Sequence, residues 1–235
     1  MASSGHRAAT QPAGVGRSSS RYTATLLPDG QLLIVGGYTS LGVTGSAELY
    51  DPATGSWTTA GAMLAPRSLH TATLLPGGKV LIAGGRGTTP LLSSAELFDP
   101  ATGHWSPAGP MAVLRSQHTA TLLPDGRVLV AGGNASTAMT EFYDPATSSW
   151  STKGALSTPR SRHAATLLPS GKVLIAAGLG PSGPLASAEL YDPASGSWSL
   201  TSPLSATRTD PTATLLPSGQ VLLAMSARPA ATPGW

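Results

Sequence analysis

The feature that most constrains this chain is a repeat. Thr-Leu-Leu-Pro recurs with its proline at Pro28, Pro76, Pro124, Pro169 and Pro217, at intervals of 48, 48, 45 and 48 residues. Trp57, Trp105, Trp150 and Trp198 keep the same spacing, each close to thirty residues after its proline. A period of this length marks a supersecondary unit that buries its apolar face only by stacking on its neighbours.

One unit runs from His70 to Arg115 and breaks into four short runs separated by turn chemistry. His70 to Leu75 is rich in β-branched threonine, and Pro-Gly-Gly then punctuates it; other copies use Pro-Asp-Gly at Asp29 and Asp125, or Pro-Ser-Gly at Ser170 and Ser218. Proline presets one φ and glycine supplies a positive one, which predicts a tight hairpin. Val80 to Ala83 is continuously apolar, as expected of a strand covered on both faces. It ends in Gly84 and Gly85, matched by Gly36 and Gly37 and by Gly132 and Gly133, where missing side chains permit close backbone approach. Ala95 to Phe98 alternates in character, Asp99-Pro-Ala-Thr-Gly103 makes a second turn, and Trp105 opens the fourth run. Four strands per unit with no helical periodicity predict an all-β repeat protein.

The double glycine, the aromatic before Asp-Pro, the tryptophan about twenty residues after the glycines, and Arg-x-x-His before the next copy resemble kelch repeats. That resemblance implies four-stranded propeller blades, with the first strand innermost and the tryptophan strand outermost. WD-type repeats fit worse because no Trp-Asp pair occurs, and a sialidase-type Asp-box is out of register because Asp51 lies six residues before Trp57. The resemblance spans 19–226, with blades at about 19–66, 67–114, 115–159 and 160–207 and a half blade at 208–226. Residues 1–18 read as a flexible lead in which Thr10-Gln-Pro-Ala-Gly14 echoes the start of a fourth strand, and 227–235 as a tail. The half blade carries Met225-Ser226 in place of the glycines, and no segment offers it a good third strand. The expectation is therefore an open or incompletely closed propeller of four full blades and a half blade, prone to self-association through its open edges.

Composition narrows the function. Charged residues are only 11% and the net charge is +3, carried mainly by dispersed arginines, which argues against nucleic acid as a partner. There is no cysteine, so disulfides and thiolate chemistry are excluded. No apolar run approaches the length of a membrane span, and Met1 to Ser20 lacks the apolar centre of a secretory leader. The compartment stays open, with an extracellular location fitting only a longer N-terminus.

Four sets of residues are candidates for a site. The tryptophans, with Tyr50, Phe98, Tyr143 and Tyr191, sit at fixed blade positions and read as core. His70, His118 and His163 open three successive inner strands. Sheets pack about 10 Å apart, whereas zinc ligands must lie about 2.0–2.1 Å from one centre, so a structural role is expected and no metal or cofactor. Arg67, Arg115, Arg160 and Arg208 lie three residues before the equivalent positions. They form either an anion-attracting rim, together with Arg86 and Asn134, or ties to Glu48, Glu96, Glu141, Glu189 and loop carbonyls; their regularity favours the ties. Finally, the loops from Tyr38 to Ser46, Arg86 to Ser94, Asn134 to Thr140 and Leu179 to Ser187 vary, while the turns at the opposite end are nearly identical. A scaffold that holds one face constant and varies the other binds through the variable face.

The function expected is a non-catalytic module that binds a protein or glycan, with anionic ligands favoured by the rim arginines. Two other readings stand beside it: a segment of a carbohydrate-acting enzyme similar to galactose oxidase, and a purely structural propeller segment. The copper cofactor of that oxidase uses a tyrosine cross-linked to cysteine, and this chain has no cysteine and no Tyr-His pair.

Overall fold

A computed structural model describes residues 21–88, 91–133 and 137–225. Every regular element in it is a β-strand. Four antiparallel sheets of four strands follow one another, each in the order first, second, third, fourth. Blade 1 comprises Thr23–Leu26, Leu32–Val35, Ser46–Asp51 and Ser56–Ala62. Blade 2 comprises Thr71–Leu74, Val80–Ala83, Ser94–Asp99 and His104–Pro110. Blade 3 comprises Thr119–Leu122, Val128–Ala131, Met139–Asp144 and Ser149–Ala155, and blade 4 Ala164–Leu167, Val173–Ala176, Ala188–Asp192 and Ser197–Leu200. Pro211–Leu215 and Val221–Met225 form a two-stranded half blade.

The turns form as their residues dictate. In blade 1 the Gly30 N–H donates to the Leu27 carbonyl, the Leu27 N–H donates to the Gln31 carbonyl, and Gly30 sits at φ 87°. Pro28 fixes the first bend and glycine takes the left-handed position that lets the strands run on in register. At the third-to-fourth turn an aspartate does similar work: Asp51 Oδ1 accepts the Ala53 N–H, and Asp99, Asp144 and Asp192 repeat the bond.

The core lies between blades. One cluster joins Leu27, Leu33, Val35 and Met63 of blade 1 to Val80, Ile82 and Phe98 of blade 2. A second joins Leu75, Leu81 and Met111 to Val128, Val130 and Tyr143. A third joins Leu123, Leu129 and Phe142 to Val173, Ile175 and Tyr191. Second strands covered on both faces explain their unbroken apolar sequence. The glycine pairs allow the blades to dock: a Cβ on Gly84 would stand 2.6 Å from the Arg115 carbonyl oxygen, and one on Gly85 2.7 Å from that of Ser68.

The five inner strands pack side by side in chain order, and among the described residues nothing covers the two ends of the row. Leu222 in the half blade is 54% exposed, whereas its counterparts Leu33, Leu81 and Leu129 are sealed. Leu26 and Trp57 of blade 1 are 60% and 39% exposed. The propeller is an open arc. The strand echo at Thr10 to Gly14, Ser226 and the tail lie outside the described residues.

Candidate binding face

Three of the four repeated arginines are, with the glutamates they meet, the most deeply buried charges among the described residues. Arg67, Arg115 and Arg160 have no exposed surface. Each guanidinium meets a glutamate of the blade it precedes: Arg67 with Glu96, Arg115 with Glu141 and Arg160 with Glu189, at 2.5–2.7 Å. Arg67 Nη1 also donates to the Gly84 and Ser94 carbonyls, and Arg160 Nη1 to those of Ala177 and Ser187. Each carboxylate accepts two backbone N–H groups of the linking loop as well: Leu64 and Ala65, Ala112 and Val113, Ser157 and Thr158. Burial lowers the guanidinium pKa and the adjacent glutamate opposes it; an arginine remains charged in such a setting. These three are internal clasps that fasten a linker to the next blade, and none of them stands on a rim where it meets an anion. Arg208 is half-buried.

The histidines form a second internal belt. His70, His118 and His163 place Nε2 2.9 Å from the Oγ1 of Thr23, Thr71 and Thr119 respectively, each in the preceding inner strand. All three are buried. Burial, with the charge of the neighbouring arginine, pushes His70 and His163 down to about 3 and His118 well below its ordinary value. The rings are neutral stitches between inner strands, and among the described residues no group of His, Cys, Asp and Glu is arranged to hold a metal ion.

The tryptophans tie the outer strands. Trp105 and Trp150 donate Nε1–H to the Ala60 and Ala108 carbonyls of the preceding blade, both at 2.9 Å. Each ring leans on the aromatic of its own blade, as Trp105 does on Phe98 with centroids 4.9 Å apart. They are partly rather than wholly buried, because the outer strand has solvent along one side. Trp57, with no described blade before it, is the most open.

Between these constant ties lies a position that varies. Arg21, Leu69, Gln117, Arg162 and Asp210 each lie one or two residues before an inner strand, and all five have left-handed backbone, φ 51–63°. Their main chains form one continuous series: the Leu69 N–H donates to Arg21, Gln117 to Leu69, Arg162 to Gln117 and Asp210 to Arg162, at 2.9–3.4 Å. Non-glycine residues at positive φ are strained, and such strain gathers at binding and active sites. This inner rim was missed in the sequence. Its signal was there as the one changing residue inside Arg-Ser-Leu-His, Arg-Ser-Gln-His and Arg-Ser-Arg-His. Arg162 and Asp210 pair across the rim, with Nη2 to Oδ2 at 2.6 Å.

A second variable position follows the glycine pair. Tyr38 and Arg86 hold it in blades 1 and 2, both exposed, and Leu179 in blade 4; Asn134, its counterpart in blade 3, lies outside the described residues. Arg86 is fixed by its backbone, which exchanges hydrogen bonds with Ser68 at 2.7 and 2.9 Å, leaving the guanidinium in solvent. On the same face, Tyr38 is 44% and Leu41 76% exposed, and Leu64, Leu114 and Met139 are exposed beside them. The inner rim and the exposed apolar side chains thus vary from blade to blade over a frame whose ties are constant.

No curated protein matches the chain. Residues 20–64 and 66–112 match the model of the Kelch motif, which coincides with blades 1 and 2, and blades 3 and 4 reproduce their strand order and register. Two adjacent Kelch motifs, continued by two blades of the same strand order and register, support a kelch-type repeat, with the blades set in an open β-propeller arc.

Proposed function

We propose that this chain is a non-catalytic module that binds another protein through its variable loop face. Kelch repeats commonly form protein-binding propellers. The observation that carries the reading is the inner rim, where five side chains of four kinds are presented on a hydrogen-bonded series of left-handed residues. Each left-handed non-glycine residue costs roughly 1–2 kcal/mol, a cost that suits a surface selected for presentation. Exposed Tyr38, Leu41 and Leu64 supply apolar anchors, and Arg21 and Arg86 supply cationic contacts at the margin. A protein segment fits this mixture better than a glycan, because the rings at the fixed blade positions lie within and between blades rather than on this face.

The test is selection of binders from a displayed peptide library, followed by substitution on the two faces. Tyr38→Ala, Arg86→Ala or Gln117→Ala should weaken a selected binder by roughly tenfold, the scale of one interface contact. Gln31→Ala and Lys79→Ala at the constant turns should leave it unchanged. Binders sensitive only to the turn-face substitutions would overturn the proposal, as would a library that returns none.

A further inference from the structure

We propose that the segment bound on the loop face is an acidic peptide segment, with its carboxylates seated on Arg86, Arg21 and Arg162. This inference rests on the loop-face reading above and names the chemistry of the partner.

The charges of the chain are sorted between its two faces. The turns that join first to second and third to fourth strands carry Asp29, Asp51, Asp99, Asp125, Asp144 and Asp192. The cations beside them are matched on that face: Lys79 pairs with Asp99, Arg127 with Asp125 and Lys172 with Asp192. At the opposite ends of the strands, Arg67, Arg115 and Arg160 are each neutralised by a buried glutamate. What stays open there is Arg21 and Arg86, both exposed, and neither meets a carboxylate among the described residues. Glu48 is half-buried within its strand, and the exposed carboxylate of this face, Asp210, is already held by Arg162. Unmatched guanidinium on one face and unmatched aspartate on the other draw and orient an anionic chain before contact.

The pair on Arg162 shows how a carboxylate seats on this rim. Asp210 Oδ1 accepts from Arg162 Nε at 3.0 Å and Oδ2 from Nη2 at 2.6 Å, so two bonds fix one carboxylate on the planar guanidinium. Arg86 is held through its backbone to Ser68, the residue before Leu69 of the rim. Those bonds fix its main chain and leave its guanidinium free to take the same fork. Leu69 and Gln117 stand in the hydrogen-bonded series between Arg21 and Arg162, an apolar and an amide contact for the residues that separate the acids. Asp210 is then a resident competitor on Arg162, which an incoming carboxylate must displace.

The test selects binders to the full chain from a displayed library of random peptides and titrates synthetic copies of them by calorimetry. Selected peptides should be enriched in Asp and Glu. Replacing their carboxylates by amides should weaken binding by roughly tenfold or more. Raising the salt from about 0.1 to 1 M, which shortens the screening length from about 10 Å to about 3 Å, should weaken it likewise. Arg86→Gln in the protein should cost roughly tenfold, and Arg86→Lys less, because the charge is kept while the fork is lost. Asp210→Asn should strengthen binding several-fold by freeing Arg162, and Lys79→Gln on the other face should change nothing. Circular dichroism checks the fold of each variant. Binders that map to the loop face without an excess of acid, or whose affinity ignores salt and Arg86→Gln, would overturn this inference and leave the loop-face reading in place. A library that returns no binder, or binders at the turns alone, would overturn both.

Discussion

Replacing Glu141 by glutamine tests whether the arginine clasps hold the arc together. The Glu141 carboxylate is sealed from solvent and accepts from Arg115 Nη2, from the Ala112 N–H at 2.6 Å and from the Val113 N–H at 3.3 Å. Glutamine keeps the shape but removes the charge, and its amide nitrogen turns a donor toward a donor. Arg115 is then a buried cation without a counter-ion, a situation that costs about 3–5 kcal/mol. The solvent-accessible pair of half-buried Arg162 with exposed Asp210 provides the control, since such surface pairs contribute about 0.2–1 kcal/mol. Urea unfolding followed by both tryptophan fluorescence and far-ultraviolet dichroism should show Glu141→Gln far less stable than Asp210→Asn. The combined change Arg115→Met with Glu141→Leu should recover part of the loss. It will not recover all, because the Ala112 and Val113 N–H groups and the Gly132 carbonyl still lose a partner. A Glu141→Gln loss below about 1 kcal/mol, or one equal to that of Asp210→Asn, would refute the reasoning.

Other consequences follow from the same geometry. The buried histidines take up protons readily only when the chain unfolds, so stability should hold above pH 6.5 and fall between that value and about 3. Each contributes up to about 1.4 kcal/mol per pH unit, and His118→Gln should flatten the profile in urea titrations at successive pH values. Ser148 occupies at φ 52° the turn position held elsewhere by Gly55, Gly103 and Gly196, so Ser148→Gly should stabilise the chain by about 0.5–1 kcal/mol, read as a raised melting temperature. Trp105→Ala should cost about 2–3 kcal/mol, below the usual core range because the ring is only partly buried. Trp57→Ala should cost roughly 1 kcal/mol in the same denaturation assay, since its outer side has no described blade against it.

The repeat made the architecture legible because every turn in it is chemically specified. Pro28 with Gly30, and Asp51 with Gly55, dictate where strands end, and the spacing between copies then dictates how sheets stack. The arginines were harder to place. Sequence shows Arg115 in a loop, and loops are ordinarily exposed; only three-dimensional register reveals that Glu141, 26 residues on, lies beside it. Two readings could be written for these residues from spacing alone, and burial decides for the tie. The inner rim escaped for a different reason. A left-handed φ leaves no residue-type signature at Leu69 or Arg162, since the strain is imposed by tertiary hydrogen bonds rather than by glycine. The tryptophans were placed correctly in the blade, yet their partial exposure depends on the sheet having an outer side, which no periodicity encodes.

The open arc is tested most directly by hydrogen exchange at matched second strands. Val80 to Ala83 lies between two neighbours and is sealed, whereas Val221 to Ala224 has, among the described residues, a strand on one edge only. Amides of the half blade should therefore exchange through local opening, orders of magnitude faster than those of blade 2, which should exchange only on global unfolding. Equal, slow exchange at the two strands in a monomeric sample would contradict the arc and mean that the ring is closed.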